Sequence, residues 1–291
     1  MAPIAGCVSE RTLRLRWEGR CAGCDSTLLR GVEAWWDPDA RSTTCVPCHD
    51  GPPPIACGVA GASATAEYEK RSRREGHRKQ AVVDRDRTWR NQVRTDHPVL
   101  GRIATAVTPK PIIGPESQAT RAWKIGAEGE EGVARTLAAC ANVIALHDRR
   151  VPGTKGNIDH IAVGPAGVYI IDAKRYNGKV ERRDVGWFFR SDERLFVDGR
   201  DRTKLVRQTG WQMEAVRVAL DGAAHPDVSL RAVLCFVESD WPLLFARPLH
   251  LQGVTVLWPK ALQELVAGGD LLDAATRDHV ARDLAAALPA K

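Results

Sequence analysis

No apolar run in this 291-residue chain approaches the roughly eighteen residues a membrane-spanning helix needs, which excludes such a helix. No segment repeats along it, so a repeat architecture is not expected. Met1 to Arg20 lacks the apolar stretch of a secretory leader, and the expectation is a reducing, cytoplasmic environment. An acidic excess is missing too. Lys and Arg number 42 against 36 Asp and Glu, and the formal net charge of +6 suits a polyanionic partner such as nucleic acid. The length accommodates one medium core and a small module.

What is present begins with cysteine. Cys21 and Cys24 form one CxxC pair, Cys45 and Cys48 another, with twenty residues between the pairs. This spacing is read as a zinc site, and four thiolates suit a closed, tetrahedral, structural Zn²⁺. Two disulfides or a redox pair are the alternatives, and a reducing compartment favours zinc. A module this short rarely stabilises itself without a metal or cross-link. Trp17, Leu28, Val32 and Trp35 are its expected core. Cys7 and Cys57 have no such pairing, and Cys140 and Cys235 lie in apolar runs and read as core thiols.

Gly51-Pro52-Pro53-Pro54 breaks structure after this module. A helix is expected from about Thr65 to Arg94 with Ser63 as its cap. It carries Lys70, Arg71, Arg73, Arg74, Arg78, Lys79, Arg85, Arg87, Arg90 and Arg94 with acids interspersed. It reads as a solvated helix, with a nucleic-acid tether as the functional alternative. Thr108 to Gln118 then reads as a loop.

The richest stretch runs from Asn157 to Lys174. Two apolar strands flank Gly164-Pro165-Ala166-Gly167, which supplies turn chemistry. With Pro165 and Ala166 as the loop, Gly164 faces Gly167 and Asp159 faces Asp172. A bulge at Gly167 would shift this pairing by one residue. Opposed carboxylates about 5 Å apart repel, and a divalent cation between them is the simplest remedy. Lys174 shares a face with Asp172, whereas His160 points away from Asp159 and reads as a packed histidine. Upstream, an amphipathic helix opens at Gly126 and runs to about Ala141. Val133, Ala134 and Leu137 share the face of Glu130, so this carboxylate sits on the core-facing stripe, where an unpaired charge is costly. Glu128 and Glu131 lie nearer the solvent side. A glutamate favoured by the helix dipole is the bland alternative for Glu130.

Gly129-Glu130, Asn157-Ile158-Asp159-His160, Val163-Gly164-Pro165-Ala166-Gly167-Val168 and Asp172-Ala173-Lys174 together resemble the NERD (nuclease-related) domain. That family is placed in the PD-(D/E)XK nuclease superfamily. The resemblance covers roughly Trp123 to Trp258. It implies an α/β fold: a three-layer α/β/α, restriction-endonuclease-like core with a mixed sheet. To this the chain adds a small N-terminal zinc ribbon and a helical linker. The corresponding segments are 1–56 (zinc ribbon-like), 57–118 (charged linker) and 119–291 (nuclease-like). The resemblance further implies metal-dependent phosphodiester cleavage, most naturally of DNA. Glu130, Asp159 and Asp172 would hold Mg²⁺ or Mn²⁺, helped by the Ala173 carbonyl, Lys174 would be the motif lysine, and Gln208 matches the glutamine of the family's later helix. The second acid is Asp where Glu is commoner. A non-catalytic nucleic-acid-binding or scaffold protein that kept the fold is the alternative.

Beyond the hairpin, Lys179 to Arg182 and Trp187-Phe188-Phe189 read as strands. So do Ser229 to Val237 and Val254 to Leu257. Thr203 to Leu220, Ala261 to Val266 and Leu271 to Leu288 read as helices.

Overall fold

A computed structural model describes residues 11–51, 53–154, 156–187, 190–241 and 247–291. Cys7, Phe188 and Phe189 lie outside them. The chain divides into two compact units between Ile55 and Ala56. No helix among the described residues is long and apolar enough to cross a membrane.

The first unit is built from β1 (Arg11–Arg14), β2 (Gly19–Arg20), β3 (Thr27–Leu28), β4 (Glu33–Asp37), β5 (Ser42–Cys45) and the short α1 (Val46–His49). β1, β4 and β5 make one antiparallel sheet, and β2 and β3 a second. Its buried core is Cys21, Leu28 and Ala34, flanked by Leu15 and Cys45. The expected contribution of Trp17 and Val32 is not made: they are 80% and 41% exposed. Strand alternation turns Ala34 inward, and Trp35 stacks on His49 with ring centroids 3.8 Å apart.

The second unit opens with α2 (Ala62–Asp96), α3 (Leu100–Val107) and α4 (Gln118–Ala138). It continues with β6 (Ile144–Arg150), β7 (Asn157–Gly164), β8 (Gly167–Arg175), β9 (Val180–Asp184), β10 (Glu193–Val197), β11 (Arg200–Asp201) and α5 (Thr203–Gly222). β12 (Leu230–Val237), β13 (Leu249–Leu251), β14 (Val254–Leu257), α6 (Pro259–Ala267) and α7 (Ala274–Ala287) complete it. A six-stranded mixed sheet runs in the order β13-β14-β12-β8-β7-β6, parallel at β14-β12-β8 and antiparallel elsewhere. Val133 and Leu137 of α4 and Leu262 of α6 pack on the sheet residues Ala162, Tyr169, Ile171 and Ala173. Val206 of α5 packs instead with Leu234 and Phe236 of β12 and Leu195 of β10. Cys140 and Cys235 are buried, as expected of core thiols.

Three helical expectations change. α2 is capped by Gly61 in the left-handed region (φ 70°) and not by Ser63, because the Ser63 hydroxyl and N–H both donate to Asp148. α2 is also fastened to α4: the Glu75 carboxylate accepts from the Ser117 N–H (3.0 Å) and the Thr120 hydroxyl (3.1 Å) at the α4 N-terminus. With Lys79 as its strongest partner, this holds Glu75 down at about 2. α4 begins at Gln118, two turns before Gly126, with the Ser117 side chain accepting from the Thr120 N–H. α3 falls between the expected helix, to Arg94, and the expected loop, from Thr108, where the sequence suggests no element. The Arg90 guanidinium donates to the carbonyls of Thr105, Thr108 and Pro109 and so closes the C-terminal end of that helix.

Candidate active site

The β7–β8 hairpin keeps the unshifted register. Gly164 pairs with Gly167, and pairing runs to His160 and Ile171. The next rung sets Asp159 against Asp172. On the other side, the pairs His147–His160 and Arg149–Ile158 bracket Asp148 opposite Asp159. Three aspartates therefore fall on one rung across β6, β7 and β8. Regular pairing fails there. Asp148 adopts φ +46°, and the Asp159 carboxylate takes the Ala173 N–H at 3.1 Å.

Lys174 joins the carboxylates of Asp172 and Asp159. Its Nζ lies 2.6 Å from Asp172 Oδ1, 3.1 Å from the Ala173 carbonyl and 3.9 Å from Asp159 Oδ2. Burial alone would lower this lysine, but Asp172 and Asp159 outweigh it and hold it above its ordinary value. Burial pushes Asp172 up, Lys174 pulls it back, and Asp159 adds to the rise.

Glu130 arrives from α4. Gly129 permits this approach: a Cβ there would stand 3.1 Å from the Arg175 Cβ of β8. Glu130 is 8% exposed and accepts the Gly61 N–H at 3.1 Å. Burial, then the charges of Asp159 and Asp148, raise it to about 8. Its neighbour Glu128 instead pairs with Arg175, and Glu131 is exposed, on the solvent side as expected.

Glu130, Asp159 and Lys174 line one cavity of about 550 Å³, with Ser63, Trp123 and Tyr176 on its walls. Asp172, 6% exposed, does not line it but holds the lysine that does. Gln208 is not brought into the cavity: it is exposed on α5, one turn before Gln212, whose amide donates to the Asn157 carbonyl at 3.2 Å. A larger cavity of about 640 Å³ along α5 and α7 is lined mostly by Val, Ala and Leu and has no comparable set of converging charges.

Asp148 and Ser63 are not expected here from the sequence, and Asn157, part of the Asn157–His160 motif, has no role assigned by it. Asp148 is 1% exposed and accepts from the Ser63 N–H (2.6 Å), the Ser63 hydroxyl (2.9 Å) and the Asn157 amide (2.8 Å). It thereby pins the start of α2 beside Glu130. His160 is fully buried, its Nδ1 2.8 Å from that of His147, and burial lowers it to about 3. A neutral, enclosed imidazole fits the packed role.

The residues suit a hard cation. Their donors are carboxylate and carbonyl oxygens, two of the three carboxylates are raised by burial and by neighbouring carboxylates, and an ammonium already sits among Asp172, Ala173 and Asp159. Among the described residues the three carboxylates do not bring one oxygen each within 4.8 Å, whereas the four cysteines do so with their sulfurs.

In the first unit, Cys21, Cys24, Cys45 and Cys48 are free thiols, and Cys24 Sγ lies 3.8 Å from Cys45 Sγ. The Cys45 and Gly23 N–H groups donate to Cys21 Sγ at 3.2 and 3.3 Å. The Cys45 N–H leads the causes that hold Cys21 down at about 6, while Cys45 and Cys24 push Cys48 upward. Such a quartet can bind a metal ion.

The sequence model of the family described as NERD, nuclease-related domain, matches residues 125–237. This span contains Glu130, Asp159, Asp172, Lys174 and Gln208 and supports a nuclease-related domain. No curated protein and no solved structure matches the chain.

Proposed function

We propose that this protein is a metal-dependent nuclease that hydrolyses phosphodiester bonds in DNA, on a three-layer α/β/α core of the PD-(D/E)XK type. One observation carries the reading. Lys174 holds its ammonium on Asp172 and near Asp159, in a cavity shared with Glu130, inside the span matched by the nuclease-related family. Asp159, Asp172 and Glu130 would hold Mg²⁺ or Mn²⁺, with the Ala173 carbonyl. When bound, the cation supplies charge neutralisation at phosphorus and a lower pKa for its water.

The chain's own groups do the rest. Lys174 stabilises negative charge developing on the phosphate oxygens. Glu130, raised to about 8 by burial and the neighbouring carboxylates in the metal-free protein, gives up its proton as the cation binds and then ligates it directly or through water. Gln208, exposed on α5, touches the substrate backbone. Arg73, Arg74, Arg78 and Arg85 recur along α2 and are exposed, as a phosphate-binding track requires. Cys21, Cys24, Cys45 and Cys48 hold structural Zn²⁺ in a zinc ribbon. In a tetrahedron with Zn–S near 2.3 Å, sulfurs stand about 3.8 Å apart, the separation found between Cys24 and Cys45. Thiolate ligation of this kind belongs to a reducing cytoplasm.

The second reading, nucleic-acid binding without cleavage, draws on the closeness of the α2 N-terminus to Glu130. Purified full-length protein incubated with linear, circular and single-stranded DNA separates the two. Cleavage in Mg²⁺ or Mn²⁺ that EDTA stops supports the nuclease. Binding with no cleavage in any metal supports the alternative.

A further inference from the structure

Away from the carboxylate cavity and the cysteines, a third cluster of ligating groups joins the turn after α5 to the face of α7. His225 Nε2 lies 2.8 Å from Asp283 Oδ2, and His279 Nε2 lies 3.2 Å from the same oxygen. The two imidazole rings meet edge to face with centroids 5.3 Å apart. One ligand atom from each residue falls within 4.8 Å of the others.

The backbone that carries these groups is fixed. The His225 N–H donates to the Leu220 carbonyl (2.8 Å), and its own carbonyl accepts the Val228 N–H (3.2 Å). Arg217 clamps the same turn by donating to the carbonyls of Pro226 (3.1 Å) and Val228 (3.3 Å). His279 and Asp283 stand one turn apart on α7, a helix anchored by buried Val280, Ala281 and Leu284 and capped by the Asp273 side chain. Three convergent donors thus meet without rearrangement of any element.

We propose that His225, His279 and Asp283 form a metal site for a borderline divalent transition ion, with zinc the natural probe. Two imidazole nitrogens exclude Mg²⁺ and Ca²⁺ as preferred occupants, because those ions favour oxygen. Three protein ligands leave one position for water, the pattern of an open site and not of a closed structural one. The bound ion ties α7 to the segment that leads into β12.

The test uses full-length protein loaded with Zn²⁺ and freed of excess, compared with His279→Ala and with His225→Ala/His279→Ala. The double variant should retain one zinc fewer per chain. Cobalt substitution should leave the sulfur-to-metal absorption of the cysteine quartet unchanged in both variants. His279 has a side chain 71% exposed, so His279→Ala keeps the fold and should weaken the ion lost in the double variant at least about tenfold. Equal zinc content and equal affinity in wild type and folded His279→Ala would overturn the proposal.

Discussion

The Nζ of Lys174 lies 2.6 Å from Oδ1 of Asp172, two residues earlier on the same strand. The pairing follows from strand alternation, which sends residues i and i+2 to one face. It means that a protein cation already sits where a metal would bind, and the lysine's role can be separated from the metal's.

Replacing Lys174 with Ala should leave the fold and metal binding intact while cleavage falls by about two decades or more, as loss of a charge-stabilising group at a reaction centre does. Arginine should rescue poorly, since its planar fork does not reproduce a compact ammonium. Single-turnover rates and calorimetric metal affinity on the same samples check this. Near-wild-type cleavage by folded Lys174→Ala protein would remove the lysine from the chemistry.

Glu130 gives a pH dependence with a definite sign. Its folded value of about 8 lies above the ordinary carboxylate range, so the folded state keeps a proton that the unfolded chain releases. Stability from this group is present at low pH and is lost as pH rises toward 8. Metal-free protein should therefore melt lower at pH 8.5 than at pH 5.5, and Glu130→Gln should flatten that slope. Mg²⁺ affinity should run the other way and rise with pH, because the proton must leave first. Thermal melts and calorimetry at the two pH values test both halves.

Asp148 accepts three hydrogen bonds in a buried setting. Asp148→Ala leaves the Ser63 and Asn157 donors unpaired and should cost on the order of 3 kcal/mol. The loss should concentrate at the start of α2. Denaturant titration gives the total, and hydrogen exchange of residues 62–66 gives the location. Unchanged exchange there would contradict the anchoring role.

The cysteine quartet should hold zinc with Zn–S distances near about 2.3 Å by X-ray absorption. A chelator should melt residues 11–51 and leave the mixed sheet of the second unit folded. Disulfides in protein prepared under reducing conditions would reject the assignment.

Charge reversal at Arg73, Arg74 and Arg78 should weaken DNA binding uniformly across sequences. It should also lower the salt slope of log K by up to about three, since each phosphate that an arginine neutralises adds about 0.9 to that slope. An unchanged slope would take α2 off the substrate path.

The hairpin and the Glu130 stripe were legible because local chemistry decides them. Gly164-Pro165-Ala166-Gly167 determines its own turn, and a two-residue loop dictates every pair above it. Other parts depend on partners that sequence order does not reveal. β6 escaped notice because its second half is charged; Arg149 is nevertheless fully buried, its guanidinium donating to the carbonyls of Leu288, Ala56 and Ala285. The first turns of α4 show no apolar stripe, since residues 121–125 are exposed. Helical spacing does separate Glu130 from Glu131: the first is buried on the core-facing stripe and the second is exposed. Ser63 has the chemistry of a cap, but a carboxylate 85 positions away claims its hydroxyl. Trp17 and Val32 stay outside the small core of the first unit, whose buried members are Cys21, Leu28 and Ala34.

The most direct test of the nuclease reading is Asp172→Asn, measured for Mg²⁺ binding by calorimetry and for DNA cleavage on the same preparation. The substitution keeps the size of a side chain that is 6% exposed and removes its charge. Wild-type protein should bind Mg²⁺ and cleave DNA, and the variant should lose both together while remaining folded. A folded Asp172→Asn protein that cleaves as wild type does would contradict the account.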